Sequence, residues 1–211
     1  MSQTTDRYRT GIAPLDRELG GGIPAGSIVA LTAPPASQSE LLLYGMAAEH
    51  QTLYLTAERT TLSVRTAIED SGCDLTRVNV HAVDRDTPLT DALEYVRRFD
   101  STSVVVVDPM DVIERRDPAQ LREFLVTLRG RLLETDSVAV LHCLDGRKVP
   151  DQRDRTTYMA DVVFDLQTHI DGDRVENRLS VPKFRGGPAL TEAMRLELTE
   201  RIVVDTSRDI A

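Results

Sequence analysis

The hexapeptide Ser103–Asp108, SVVVVD, carries four consecutive valines. β-Branched side chains favour extended backbone, and an apolar run without alternation suits a strand covered on both faces. Such strands belong to parallel sheets sandwiched between helices. Working outward, the same signal recurs at Ser27–Thr32 (SIVALT), Thr52–Thr56 (TLYLT), Val78–Val83 and Ser137–Leu141 (SVAVL). Helical patterns lie between them, at Ser37–Glu49, Thr60–Ser71, Leu89–Phe99 and Pro118–Leu133, the last with Asp117 as N-cap and Pro118 at its first position. Strand–helix alternation at this spacing predicts βαβ units and a mainly parallel sheet.

After Asp161 the pattern changes. Val162–Thr168 and Arg174–Val181 flank Asp171-Gly172, a strong hairpin signal, and Glu192–Thr199 and Ile202–Asp205 read as two more short strands. The expectation is one α/β domain over residues 1–211. It comprises a lead-in (1–26), an α/β core (27–160) and an antiparallel extension (161–211).

Composition narrows the function classes. The 211 residues hold 34 acidic and 25 basic side chains, for a net charge of −9. No apolar run approaches the roughly 20 residues of a membrane helix. The amino terminus MSQTTDRYRT has no apolar secretory core, and Cys73 and Cys143 cannot build a disulfide framework. A reduced, cytoplasmic protein is the expectation. The acidic total also argues against nucleic acid as the default partner, since such domains usually carry a basic face. Only Lys148 and Lys183 are lysines, and aspartates outnumber glutamates 21 to 13. An acidic, lysine-poor chain fits solubility in concentrated salt, where screening relieves self-repulsion.

The segment Thr10–Leu31, TGIAPLDRELGGGIPAGSIVAL, leads through the first strand into the loop APPASQSE (Ala33–Glu40). Gly11-Ile12, Leu15-Asp16, Gly20–Gly22, Ile23-Pro24, Gly26-Ser27 and Pro34-Pro35, in this order and spacing, resemble the KaiC-like branch of the RecA superfamily of P-loop ATPases. The resemblance covers almost the whole chain. It implies a RecA-like P-loop domain, ATP with Mg²⁺ as cofactor, and assembly as a homo-oligomer or as a mixed ring with an active KaiC-like paralogue.

The loop departs from the chemistry of that family. A P-loop reads G-x-x-x-x-G-K-[ST]: glycines let amides close around phosphates, the lysine reaches the β/γ-phosphates and the hydroxyl holds Mg²⁺. Here Ala33 and Gln38 stand at the two glycines, Ser39 at the lysine and Glu40 at the Ser/Thr, with Ala36 at another position usually glycine and Ser37 beside it. A carboxylate roughly 5 Å from a phosphate repels it by about 3 kcal/mol at an effective dielectric near 20. Glu40 suits an empty loop, where the helix dipole favours a first-turn carboxylate.

Three other segments match the family position by position. Asp108 falls where the resemblance places the acidic residue that holds Mg²⁺ through water. Glu58 matches the first of two glutamates that supply the water-activating base, and Arg59 replaces the second. Lys183-Phe184-Arg185-Gly186-Gly187 resembles the K-x-R-G motif by which one subunit reaches its neighbour's nucleotide, making Lys183 and Arg185 a candidate trans finger. The loop Asp145–Arg155 falls where RecA-like proteins carry DNA-facing loops. Its four basic and three acidic residues, without aromatics, read instead as a solvated loop. His142 and Cys143 alone make no metal site, and no Ser/His/Asp arrangement is legible.

Three functions follow: a non-hydrolysing regulatory or scaffolding relative acting through protein contacts, a divergent ATP-binding protein or weak ATPase, and a DNA-associated accessory factor. The composition makes a prediction of its own: thermal unfolding monitored across a KCl series should show stability falling below molar salt.

Overall fold

The computed structural model describes residues 6–99, 104–187, 190–199 and 202–204. In chain order the elements are β1 (Arg7–Tyr8), α1 (Ala13–Glu18), β2 (Ile23–Pro24), β3 (Ile28–Ala33), α2 (Glu40–Glu49), β4 (Thr52–Thr56) and α3 (Thr61–Asp70). There follow β5 (Val78–Ala82), α4 (Pro88–Arg98), β6 (Val104–Asp108), α5 (Asp111–Glu114), α6 (Pro118–Glu134), β7 (Val138–Leu144) and α7 (Arg153–Met159). The chain closes with β8 (Val162–Asp171), β9 (Arg174–Phe184), β10 (Met194–Leu198) and β11 (Ile202–Val204).

Nine strands form one sheet in the order β11-β10-β9-β8-β3-β7-β6-β4-β5. The run from β8 to β5 is parallel and the run from β8 to β11 antiparallel. Strand β8 therefore belongs to both regimes, parallel to β3 and antiparallel to β9. The hairpin turns at Gly172, whose φ is +60°. Ser103 and Asp205, the expected ends of two strands, lie outside the described residues.

The valine run explains why the sheet is double-faced. Val104 and Val106 join one core with Val29, Leu31, Leu43, Tyr54 and the apolar faces of α1, α2 and α3. Val105 and Val107 join the other with Ile28, Leu55, Phe124 and the apolar faces of α4 and α6. All four valines are fully buried, so period-two alternation sends each neighbour to the opposite layer.

Local chemistry sets the boundaries. The Thr60 side chain accepts from Ser63 N at α3, and Asp117 accepts from the amides of Ala119 and Gln120 at α6. In the lead-in, Asp16 accepts from both the amide (2.7 Å) and the hydroxyl (2.8 Å) of Thr10. Gly22 has φ +118°, and a Cβ there would lie 2.3 Å from the carbonyl oxygen of Tyr8. The β1–β2 ribbon can close only on glycine.

The segment Asp145–Arg155 is not uniformly a solvated loop. Arg153, buried at the start of α7, bonds both carboxylate oxygens of Glu114 at 3.0 and 2.9 Å and pairs with Asp111 at 3.0 Å. A third contact runs to the carbonyl of Leu144 at 3.1 Å. Charge counting missed this because burial depends on α5 and β7, both distant in sequence. Deleting one member of a buried ion cluster leaves uncompensated charge and costs about 3–5 kcal/mol. Urea melts should show a loss of that size for Arg153→Ala, against a change within about 0.5 kcal/mol for exposed Arg147→Ala.

Candidate functional site

Strands β3, β4, β6 and β7 end together on one edge of the sheet, the edge where open α/β folds bind ligands. Asp108 is the last residue of β6 and is buried. Its Oδ2 accepts from the Tyr54 hydroxyl at 2.6 Å, and its Oδ1 bonds His142 Nδ1 at 2.6 Å. The Nε2 of His142 bonds Ser39 Oγ at 3.0 Å. His142 Nδ1–H donates to the carboxylate, and Nε2 shares a hydrogen bond with the serine hydroxyl whose direction follows the state of the ring. Ser39, His142, Asp108 and Tyr54 thus form one hydrogen-bonded chain in which every member is at most 5% exposed.

This chain corrects the expectation that no Ser/His/Asp arrangement exists. His142 is expected at a strand end near Asp108 but is weighed only as a metal ligand; what the sequence does not show is that Ser39 turns in to meet its ring, on a β7 that runs on to Leu144. A histidine inside an apolar, sheet-centred run was the available signal. The order and distances are those of a nucleophile–base–orienter set, but Ser39 is only 2% exposed. No substrate reaches its hydroxyl in this conformation.

Electrostatics reinforce the network. Burial pushes the Asp108 carboxyl up. The bond and charge of His142, the Tyr54 hydroxyl and the Arg59 guanidinium together outweigh burial and hold it below the usual carboxylate range. Burial, then the charge of Asp108, pushes the Tyr54 phenol well above its ordinary value, keeping it a donor. Arg59 donates to the Tyr44 hydroxyl at 2.6 Å, placing its cation beside the same cluster.

The loop after β3 is closed on itself. Both the amide and the hydroxyl of Ser37 donate to the Pro34 carbonyl, at 3.0 and 2.6 Å. From Ala33 to Glu40 no residue has positive φ, so the loop absorbs the loss of glycine by taking another shape. With its amide in the orientation that satisfies both ends, the Gln38 side-chain nitrogen donates to the carbonyls of Leu198 and Thr199 at 3.0 and 3.1 Å, tying the loop to the end of β10. Ala36 is exposed, and Glu40 is half-buried in the first turn of α2.

These residues do not fit Mg²⁺–nucleotide. Ser39 has turned into the sheet edge, Glu40 supplies a carboxylate where a metal-bound hydroxyl belongs, and both Asp108 oxygens are already engaged. Exposed Glu58 pairs with Arg85 and stands apart from the buried chain.

Lys183 and Arg185 lie at the opposite edge, since Phe184 pairs with Val162 at the start of β8. The Lys183 ammonium donates to the carbonyls of Thr157 and Tyr158, both at 2.8 Å, and Arg185 to that of Tyr158 at 3.1 Å. Both cations therefore hold the last turn of α7 within their own chain. The following turn needs its glycines: Gly186 has φ +99°, and a Cβ on Gly187 would lie 2.2 Å from the Phe184 ring.

A mainly parallel sheet with a loop-to-helix turn after β3 and an aspartate ending β6 gives the chain a RecA-like fold, the one seen in a KaiC-like protein of known structure. The crystal structure of a KaiC-like protein from Pyrococcus horikoshii OT3 matches with a TM-score of 0.78, 95% of this chain and 99% of that chain covered, at 19% identity. Two curated proteins named DNA repair protein RadA are similar in sequence. That of Mycolicibacterium smegmatis is 27% identical over 186 residues, 82% of this chain and 39% of that protein. That of Haemophilus influenzae is 31% identical over 153 residues, 66% of this chain and 32% of that protein. The chain thus spans 39% of the length of one RadA and 32% of the other. Residues 7–211 match the model of a family of unknown function (DUF7125), and the chain belongs to that family.

The depressed Asp108 carboxyl has a consequence for stability. A group whose folded pKa lies below its unfolded value of about 3.9 contributes stability above that value and loses it as pH falls through the folded pKa. Urea melts should therefore weaken on acidification below about pH 4. Asp108→Asn should cost about 1–3 kcal/mol at pH 7, by misfitting two buried partners, and should flatten that acid limb.

Proposed function

We propose that this chain is a non-hydrolysing, KaiC-like regulatory or scaffolding protein that acts through contacts with other proteins. One observation carries the reading. The Ser39–His142–Asp108–Tyr54 chain satisfies internally the groups that a P-loop ATPase of this fold would turn toward phosphate and metal. A network with every member bonded stabilises the closed state, and opening it would strand buried polar atoms at about 1–3 kcal/mol each.

The natural partner is a second copy of the chain or an active KaiC-like paralogue in a mixed ring. The position of Lys183 and Arg185 supports this, because they cannot serve their own loop from the far edge of the sheet. In a head-to-tail assembly one protomer's far edge faces the next protomer's site. Lys183→Ala or Arg185→Ala would then impair a partner's ATPase while this chain stays folded.

The deciding experiment is a thermal-shift and calorimetric titration with MgATP and MgADP, in molar KCl and in low salt. A site with Kd near 10 µM would add about 2.7 kcal/mol at 1 mM ligand. The expected outcome is no shift and no phosphate release. A clear shift with turnover overturns the reading and favours the divergent ATPase.

The similarity to the RadA proteins favours a second reading, a DNA-associated accessory factor. It predicts salt-sensitive binding of single-stranded oligonucleotide that is lost when Arg147 and Lys148 are neutralised.

A further inference from the structure

Next to the buried network, at the ends of β4, β6 and β7, the surface opens into a cleft of about 460 Å³. Pro109, Val112 and Leu144 supply its apolar lining, and Glu58, Asp111, Arg85, Arg115 and Arg116 supply its charges. Glu58 is paired with Arg85, and Asp111 shares the single cation of Arg153 with Glu114. Arg115 and Arg116 have no carboxylate partner among the described residues.

They are also held in place. Arg115 Nη2 donates to the Lys148 carbonyl at 2.8 Å, and Arg116 Nη2 donates to the carbonyl of Arg85. Arg85 is itself anchored on the carbonyls of Ala57 and Glu58, at 3.2 and 3.1 Å. Each of the two spends one of its five N–H donors on main chain and keeps the others for a ligand. Guanidiniums fixed beforehand lose less entropy on binding, and their planar forks match phosphate oxygens. The volume is that of a small-molecule site, and two adjacent guanidiniums facing one cleft suit the oxygens of a phosphate.

We propose that this cleft binds a small organic phosphate monoester. Arg115 and Arg116 clamp its phosphate, and the Pro109–Val112–Leu144 surface receives its apolar body. The site is separate from the loop after β3 and stands whether or not the chain binds ATP.

The test is calorimetric titration of the full chain in low salt with three probes: phenyl phosphate, inorganic phosphate and a single-stranded oligonucleotide. Phenyl phosphate should bind severalfold tighter than inorganic phosphate, because only it has an apolar body. Arg115→Ala and Arg116→Ala should each weaken it by roughly tenfold or more. Arg116→Lys should lose affinity too, since an ammonium cannot fork, and it retains the charge should the alanine variant fail to fold. Exposed Arg122→Ala, on α6, should change nothing. Absence of phenyl phosphate binding by the folded wild-type chain overturns the proposal. So does binding indifferent to Arg115 and Arg116, and so does capture of the oligonucleotide alone.

Discussion

A strand buried on both faces has to end somewhere, and β6 ends on a carboxylate. Asp108 follows four fully buried valines and is itself only 5% exposed, so solvation by water is largely denied to it. A buried carboxylate left unbonded is among the more costly defects a fold can carry. Everything at this edge of the sheet answers that constraint. His142 arrives from the neighbouring strand β7 and Tyr54 from the neighbouring strand β4, each at 2.6 Å. Ser39 then satisfies the second nitrogen of the ring. The need is met by side chains from both neighbouring strands and from the loop after β3.

The same logic recurs twice among charged groups. Glu114 and Asp111 are buried beyond the β6 strand end and share Arg153. Asp161, at the start of β8, accepts from Ile28 N at 2.9 Å and pairs with Arg129 and Arg185. Each buried acid joins elements far apart in sequence, so each also fixes a register between layers. Cys143, packed among the first group, has its thiol pushed well above the ordinary value by burial and by Glu114. It behaves as a small apolar side chain rather than a nucleophile.

Much of the architecture was legible because it rests on periodicity. The valine run, the strands SIVALT and TLYLT, and the caps Thr60 and Asp117 all declare themselves within a few residues. Even so, β8 and β9 run on to Asp171 and Phe184 where local patterning ended at Thr168 and Val181. Pairing between two strands extends a hairpin further than the hydrophobicity of either one suggests. The candidate site was legible only by halves. Asp108 and Ser39 could be placed by resemblance, but His142 sits 34 residues from the first and 103 from the second. No spacing rule links them; only the parallel pairing of β7 with β3 and β6 does. Arg153 was misread for the same reason, since a charged residue in a charged segment looks solvated until its partners are known.

The loop after β3 shows how a fold can persist while its chemistry is exchanged. Neither core counts a residue from Pro34 to Ser39 among its buried apolar members. The fold depends on the strand that ends at Ala33 and on the helix that starts at Glu40. Between them any sequence serves that turns the chain and satisfies its own polar groups. Ser37 bonded back to Pro34, Gln38 to the end of β10 and Ser39 to His142 meet that condition without glycine, lysine or ligand. A glycine-rich loop leaves its amides open and relies on phosphate to complete them. This loop completes its polar groups within the chain, so the RecA-like framework rests on the two cores rather than on the segment between β3 and α2.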